Sequence, residues 1–347
     1  MKKAAILTAI LATGCCVPVY AQPPINGVTA VPPPPAGYDP TVMPPSVNAL
    51  YKLPPEPAAR SASRVHDAWK RAMRSVGNRE IATVTTTARR HAPATGKRTT
   101  IRNGTESTEM DNWSGTSVVS YPPAGLRAIT GLFVVPEAHQ PQGQCGTATM
   151  SSIWPGIDGN GNADVLQAGV EADAFCVIQN GQKTVQGQYD VWVEWFPCLE
   201  TKVSSPTVSP GDLVFVEVWN TSPTQGWAYF YDYATDVSAE YSIPAPAGTS
   251  LQDTSVEWVV ERPEIGGQFA PLTNYIDVPW SGGVAWNYAS SNPTTYSVGY
   301  DPENATLENI TMLDNSGNPI SAATIENESF LWFQNFGSSC GLNQSPC

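Results

Sequence analysis

Two glutamates, Glu257 and Glu261, lie in a stretch where apolar and polar residues alternate. The alternation over Ser255–Glu261 has the period of two that is typical of a β-strand, so both carboxylates face the same side of a sheet. A half-buried strand tolerates carboxylates when they are solvated, paired or catalytic. Pro263 ends the strand and leaves Glu261 at its rim. The stretch predicts either a solvated sheet face or part of a catalytic cleft.

Residues 189–196 repeat this alternation. One face carries Val191, Val193 and Trp195, and the other carries Asp190, Trp192, Glu194 and Phe196. Acidic residues interleaved with aromatic ones are typical of the floor of a binding cleft. A third stretch sets Gln167 between apolar neighbours. A buried amide must find hydrogen-bonding partners, so a structural role is its simplest interpretation.

The scarcity of histidine excludes several chemistries. Of three histidines, His66 and His91 lie in the N-terminal third, which leaves His139 for the rest. The chain therefore lacks the His-Glu-x-x-His pair of a zinc hydrolase, and we expect neither a metal nor a cofactor. The Gly-x-Ser-x-Gly match at residues 337–341 has no downstream histidine and is interpreted as a disulfide turn. A cysteine paired with His139 is a weaker possibility.

Two carboxylates among aromatic residues also suggest a glycoside hydrolase. Glu257 and Glu261 are separated by about 13 Å along one strand, whereas glycosidases need roughly 5–9.5 Å. That pair therefore fails, but Glu194 with Glu261 on neighbouring strands stays open. The alternative functions are a lectin-like carbohydrate-binding β-sandwich or a glycoside-hydrolysing one.

Charge divides the chain of 347 residues into two parts. Residues 1–105 hold 14 of the 18 Lys and Arg residues, whereas residues 106–347 hold four basic and 27 acidic residues, a net charge of −23. Such self-repulsion weakens as carboxylates are protonated, so we interpret the acidic part as adapted to low pH. The net charge argues against a nucleic-acid partner.

The N-terminal residues have the pattern of an export signal. Lys2 and Lys3 precede a short apolar run, and Val19-Tyr20-Ala21 is typical of a cleavage site. We predict a signal peptide over 1–21, a basic pro-segment over 22–105 and an acidic catalytic domain over 106–347. The pro-segment is expected to contain a proline-rich extended leader, a helix within 58–76 and a basic linker. Charge complementarity predicts that the pro-segment inhibits the acidic domain. After removal of the signal peptide, we expect a secreted monomer without membrane attachment.

From residue 112 onward, short β segments alternate with Gly, Pro, Asn and Ser turns. Such a run over about 235 residues indicates an all-β sandwich or barrel. The expected strands are 114–121, 129–135, 151–157, 165–170, 189–196, 213–220, 227–234, 256–261 and 330–333. Export permits disulfides, and Cys340–Cys347 is a plausible pair. At most one further pair can form among Cys145, Cys176 and Cys198.

Five motifs in order resemble the glutamic peptidases of the eqolisin (scytalidoglutamic peptidase) type. They are Asn112-Trp113-Ser114-Gly115, Trp154-Pro155-Gly156-Ile157-Asp158-Gly159, Leu166-Gln167-Ala168-Gly169, Tyr189-Asp190-Val191-Trp192-Val193-Glu194-Trp195 and Glu257-Trp258-Val259-Val260-Glu261. The resemblance implies a concanavalin A-like sandwich of two antiparallel sheets. It also implies a secreted acid protease that is insensitive to pepstatin and acts on proteins or peptides.

The resemblance implies roles for individual residues. The catalytic Gln falls on Gln167 and the catalytic Glu on Glu261 rather than Glu257. Trp113 and Trp154 fall on the substrate cleft, and Asp158, Asp190 and Glu194 on the acidic network behind it. The chain departs from the family at Pro155, Ala168 and Glu171, where an aliphatic residue, a Thr and an Asp are more usual. The cysteines are also placed differently, so no disulfide is transferred.

Overall fold

The computed structural model describes residues 27–57, 63–102, 105–120, 125–140, 145–290, 295–298, 305–327 and 330–336. The predicted signal peptide, the Gly-x-Ser-x-Gly match and the Cys340–Cys347 pair lie outside these residues. Within them, no helix is both long and apolar enough to cross a membrane.

Strands dominate the fold. They are β1 (Thr29–Ala30), β2 (Val84–Thr86), β3 (Arg89–Arg90), β4 (Arg98–Arg102), β5 (Thr105–Met110), β6 (Trp113–Ser120), β7 (Ala128–Val134), β8 (Ser152–Ile157), β9 (Leu166–Gln179), β10 (Gln182–Trp195), β11 (Thr201–Val203), β12 (Leu213–Ser222), β13 (Gln225–Asp232), β14 (Val237–Pro244), β15 (Ser255–Glu261), β16 (Glu264–Ile265), β17 (Gln268–Phe269), β18 (Asp277–Gly282), β19 (Val284–Trp286), β20 (Thr295–Ser297), β21 (Ala305–Leu313), β22 (Pro319–Asn327) and β23 (Phe330–Asn335). The α-helices are α1 (Pro45–Asn48) and α2 (Ser63–Arg74), and 3₁₀ turns span Pro40–Val42, Ala49–Tyr51 and Val76–Asn78.

Two antiparallel sheets form a sandwich. The front sheet runs β2-β11-β10-β9-β8-β15-β6-β21. The back sheet runs β1-β14-β13-β12-β7 and continues through β18 and β19. β22 pairs with both β21 and β23, and β23 pairs with β18, so the two sheets join at one end. The predicted all-β sandwich is confirmed, and every expected strand is present.

The alternation read from the sequence decides what each sheet face meets. Val256, Trp258 and Val260 of β15 enter the core between the sheets, together with the odd-numbered apolar residues of β10. The intervening residues point to the outer face of the front sheet, where Trp113, Trp154 and Trp192 form a separate aromatic cluster. Each fully buried large apolar side chain contributes about 1.5–3 kcal/mol relative to an exposed one. Core packing therefore fixes which residues line the outer face.

The proline-rich stretch differs from the expected extended leader. Residues 27–57 contain β1, three short helical elements and the buried side chains of Val28 and Leu53. The predicted helix is present as α2, and its apolar stripe, which includes Trp69 and Met73, packs on the back sheet. We call residues 27–57 and 63–80 the N-terminal layer. The prediction of an unpacked leader is wrong, because its apolar residues are buried against the aromatic outer face of the back sheet.

Residues 84–95, which we call the cleft segment, lie on the other outer face. β2 adds to the front sheet at β11, and β3 pairs with β16 in a small separate sheet. Beyond β3, the amide of Ala94 donates to the carbonyl of Gly159. The segment therefore crosses the front sheet as an extended chain.

Glu217 on β12 and Glu240 on β14 are fully buried beneath the N-terminal layer, and Glu257 on β15 is fully buried on the outer face of the front sheet. Burial raises the pKa of Glu217 and of Glu257 well above the ordinary value of 4.5. Burial also raises the pKa of Glu240, to about 8, although Arg79 opposes the shift. A group whose folded-state pKa is raised binds its proton more tightly in the folded protein. Its contribution to stability is therefore complete below pH 4.5 and is lost as the pH rises through the folded pKa.

We predict that the melting temperature rises as the pH falls from 8 to 5, measured on the Glu261→Gln chain to prevent self-cleavage. Glu217→Gln should flatten this dependence, because the amide is the same size and neutral at both pH values. Glu326→Gln, on an exposed part of β22, is the matched control. A melting temperature that peaks near pH 8 would contradict the prediction.

Candidate active site

Gln167 and Glu261 come from different strands and reach the same spot. Gln167 lies near the start of β9, Glu261 ends β15, and both side chains are fully buried on the outer face of the front sheet. β8 lies between these strands and pairs with both of them. The two residues contact one group, His91: its carbonyl accepts from Gln167 Nε2 at 2.7 Å, and its Nδ1 lies 3.2 Å from Glu261 Oε2.

Trp154 orients the carboxylate of Glu261. Its Nε1 donates to Glu261 Oε2 at 2.9 Å, and its ring meets Trp113 edge to face with centroids 5.0 Å apart. Gly169 makes room for Trp154, since a Cβ there would lie 2.2 Å from the backbone oxygen of Ile153 and 2.6 Å from Trp154 Cβ. The glycine of the Leu-Gln-x-Gly motif is thus required by close packing.

An acidic pocket surrounds the two predicted catalytic residues. Glu194 lies directly across from Gln167 on β10, Glu171 lies four residues further along β9, and Glu200 precedes β11. All three side chains are at most 1% exposed. Unpaired carboxylates at such depth are costly, so each needs a proton or a nearby cation.

His91 of the cleft segment fills this pocket. Its Nε2 lies 3.2 Å from Glu171 Oε1 and 3.1 Å from Glu200 Oε2. Its backbone amide donates to Glu194, with both carboxylate oxygens at 3.1 Å. Its ring stacks on Trp192 with centroids 3.7 Å apart. The imidazole thus bridges the carboxylate of Glu261 and those of its acidic neighbours.

Neighbouring residues of the cleft segment are also bound. The guanidinium of Arg89 pairs with Asp173 and, at 3.3 Å, with Glu171. On the other side, Asn112 Nδ2 donates to the carbonyls of Ala92 at 3.0 Å and Pro93 at 3.1 Å. The asparagine of the Asn-Trp-Ser-Gly motif therefore binds main chain in the cleft, as it could bind a peptide.

These contacts set the protonation of the pocket. Burial disfavours the imidazolium, but the hydrogen bonds that it donates to Glu171, Glu200 and Glu261 outweigh this effect, and the pKa of His91 is raised well above its ordinary value. Burial likewise opposes ionisation of Glu171, yet Arg89 and His91 prevail and its pKa is lowered. For Glu194 and Glu261 burial prevails, and the pKa of each is raised.

The ligand atoms of His91, Glu171 and Glu200 lie within 4.8 Å of one another, a spacing that a metal ion could also use. With no metal bound, the raised pKa of His91 favours a proton on each imidazole nitrogen. We therefore interpret the three groups as an imidazolium between carboxylates.

The structure separates the remaining predicted residues. Asp190 lies on the cleft face and pairs with Lys202 at its rim. Asp158 accepts from the backbone amides of residues 252–254, and its strand neighbours lie at the opposite end of β15 from Glu261. Asp158 therefore shapes a turn about 20 Å along the strand from Glu261 rather than lying behind it. Glu257 is buried, with Ser117 Oγ 3.3 Å from its Oε1, which leaves it a supporting role.

The strand placement assumed for a glycosidase pair is wrong. Glu194 and Glu261 do not lie on neighbouring strands, because β8 and β9 separate β10 from β15. The cysteine pair that the sequence left open is Cys145–Cys176, and Cys198 is a buried free thiol.

Local sequence patterns do not predict three residues of the site: His91, Arg89 and Glu200. His91 was set aside because it precedes the predicted catalytic domain. The signal that could have found it is the basic run Arg89-Arg90-His91, the chemistry most complementary to an acidic cleft.

An all-β sandwich with an amide, a carboxylate and flanking tryptophans at the rim of one sheet defines a glutamic-type endopeptidase. Residues 111–332 match the peptidase A4 family, and the chain belongs to that family. Aspergillopepsin-2 of Aspergillus niger is 28% identical over 239 residues, which are 63% of this chain and 77% of that protein. Scytalidopepsin B of Scytalidium lignicola is 30% identical over 177 residues, 50% of this chain and 61% of that protein.

A crystal structure of scytalido-glutamic peptidase with a transition state analog inhibitor has the same fold. It superposes with a TM-score of 0.51 at 21% identity and covers 65% of this chain and 98% of that one. The sandwich is therefore shared.

We predict that Gly169→Ala reduces proteolysis and also lowers the melting temperature. The added Cβ meets backbone that cannot move aside, and it should displace Trp154 from Glu261. Gly146→Ala is the control, since no atom lies within 4 Å of the added Cβ. Activity and thermal unfolding of the two variants would be compared. Equal activity in both would contradict this role of Gly169.

Proposed function

We propose that the chain is a secreted acid endopeptidase whose catalytic residues are Glu261 and Gln167. The observation that supports the proposal is that both side chains contact one residue in the cleft, His91, whose carbonyl accepts from Gln167 and whose imidazole lies against Glu261. Gln167 Nε2 donates to a peptide carbonyl there, which is the contact that an oxyanion donor must make. Secretion is supported by the signal-like pattern of residues 1–21.

The reaction is hydrolysis of a peptide bond. Glu261 as carboxylate accepts a proton from water, and the water oxygen attacks the carbonyl carbon. The resulting oxyanion accepts a hydrogen bond from Gln167 Nε2. Glu261 then gives its proton to the leaving nitrogen, the C–N bond breaks, and the products are a carboxylic acid and an amine. The amide of Gln167 is neutral at every working pH, so its donor persists in acid.

Glu261 must be ionised to act as the base. Burial beneath the cleft segment raises its pKa in this structure, while His91 and Trp154 oppose the shift. When the segment leaves, water enters and the burial effect falls, so the pKa of Glu261 drops toward the range in which an acid protease needs a carboxylate.

We predict that Glu261→Gln and Gln167→Ala each reduce hydrolysis of a denatured protein at pH 3. Loss of the general base should cost about 10²–10⁴-fold. Loss of the oxyanion donor should cost about 10²–10³-fold. Glu137→Gln and Gln182→Ala, both on exposed side chains, are matched controls. Pepstatin should not inhibit the wild type, and substantial activity in either catalytic variant would refute the assignment.

We further propose that the pro-segment is an intramolecular inhibitor and that His91 is its inhibitory residue. The carbonyl of His91 accepts the hydrogen bond that Gln167 would donate to a substrate carbonyl. The imidazole of His91 contacts the carboxylate of Glu261, where the catalytic water would bind. A catalytic water and a substrate carbonyl therefore have no place while the cleft segment is bound.

Acid should release the segment through Glu171. Its pKa is lowered in the closed form, so its contribution to docking is complete above pH 4.5 and is lost as the pH falls through the lowered value. The other carboxylates of the pocket have raised pKa values, which act in the opposite direction and do not drive release: Asp173, Glu194, Glu200 and Glu261. The raised pKa of His91 makes its contribution complete below pH 6.5 and lost only as the pH rises through the raised value.

We predict that His91→Ala makes the full chain active at pH 5–6 without acid pretreatment. Each charge-assisted hydrogen bond contributes about 1.5–3 kcal/mol, so loss of even one should raise the rate over the latent wild type about 10–100-fold. His91→Phe, which keeps the stacking on Trp192 but no charge, should also be active. His139→Ala is the control. Latency equal to wild type in His91→Ala would contradict the inhibitory role, and activity at pH 3 is measured separately.

A further inference from the structure

The two outer faces of the sandwich hold different parts of the predicted pro-segment. The cleft segment covers the catalytic face of the front sheet, whereas the N-terminal layer covers the aromatic face of the back sheet. The central core lies between these faces. Opening the cleft therefore does not require the N-terminal layer to move.

The N-terminal layer is built into the back sheet. β1 pairs with β14, and the amides of Val31 and Glu80 donate to the carbonyls of Glu240 and Ser238. Arg79 of the layer forms an ion pair of 2.6 Å with Glu240, and both side chains have zero exposure. These contacts have the character of a protein interior.

Helix α2 covers a row of aromatic side chains. The apolar residues of the back sheet under the layer are Phe215, Trp219, Trp227, Tyr229, Tyr231 and Trp286. The helix also bonds to them, as Tyr229 Oη donates to the carbonyl of Ala72 at 3.0 Å and Arg71 Nε donates to Tyr231 Oη at 3.1 Å. Aromatic side chains bury about 150–250 Å² each, whereas a soluble monomer rarely exposes an apolar patch above a few hundred Å².

The cleft segment is held differently. Its central contacts are those of Arg89 and His91 with carboxylates, which depend on charge. Between the two parts, residues 80–86 are mostly exposed, with Ile81 at 69%. The link is thus the accessible stretch at which the chain could be cut.

We infer that the N-terminal layer remains bound to the catalytic domain after activation, so that the active enzyme is a complex of two chains, and that the cleft segment alone is expelled. The occupant of the aromatic back face is therefore this chain's own N-terminal layer, residues 27–57 and 63–80. The inference rests on the proposed activation by clearing of the cleft, but its test needs no proteolytic activity.

Acid should not undo this interface. The carboxylates that face the layer are Glu217, Asp236 and Glu240, of which Asp236 accepts from Ser75 Oγ at 2.6 Å. Glu217 and Glu240 take up protons while the layer is bound, so their protonation does not oppose docking, although the Arg79–Glu240 contact is then no longer an ion pair. The pKa of Asp236 is lowered, so its protonation in acid weakens its contact with Ser75. The apolar contacts of α2 do not titrate and persist when the charge pairs of the cleft segment fail.

The test uses the full chain carrying Glu261→Gln, with a recognition sequence for a specific protease inserted between Ile81 and Ala82. After cutting at pH 7, size-exclusion chromatography at pH 7 and at pH 4 should show the N-terminal fragment co-eluting in equal molar amount with the rest. Trp69→Ala with Met73→Ala should release the fragment, whereas Arg74→Ala, on the exposed side of α2, should not.

If the double variant fails to fold, the cut protein without it still decides the question. Separate elution of the fragment at pH 4, with the remainder soluble and folded by circular dichroism, would overturn the inference. Because the Glu261→Gln chain is used throughout, failure of the proposed peptidase activity would leave this result unaffected.

Discussion

The structure depends on one buried cation among carboxylates. Glu171, Glu194, Glu200 and Glu261 converge at the outer face of the front sheet, where each is at most 1% exposed. Isolated charges at that depth are costly, and breaking a buried pair by removing one partner is more costly than never forming it. His91 satisfies this demand with its two ring nitrogens and its backbone amide. His91, which fills the cleft, is thus also the group that stabilises its buried carboxylates.

The sheet geometry explains how such a site is built. Alternation along β9, β10 and β15 sends apolar side chains inward and leaves the outer face to polar and aromatic ones. Gly169 leaves room for Trp154, whose Nε1 donates to Glu261. Asn112 holds the main chain of the segment on the far side. A substrate could use the same backbone contacts, which supports the proposal that the cleft segment is an inhibitor.

The two outer faces use opposite physical means to hold the same N-terminal part of the chain. Charge pairs dominate over the front sheet and respond to pH, whereas aromatic and aliphatic burial dominates over the back sheet and does not. One change in pH can therefore act on one face and spare the other. The boundary at residue 105 stays a prediction from sequence composition.

The sequence by itself determined the strands and which side chains share a face of each strand. Period-2 alternation in residues 189–196 and 255–261 specified which side chains face outward, because core burial allows one register. The motifs selected Gln167 and Glu261 within a peptidase family. Tertiary structure decided the rest, because contacts between distant residues leave no trace in local spacing. His91 contacts Glu261, which is 170 positions away in the sequence. Asp158 lies in a turn, at the opposite end of β15 from Glu261. The proline-rich stretch packs on aromatic residues of the back sheet, which sequence periodicity does not connect to it.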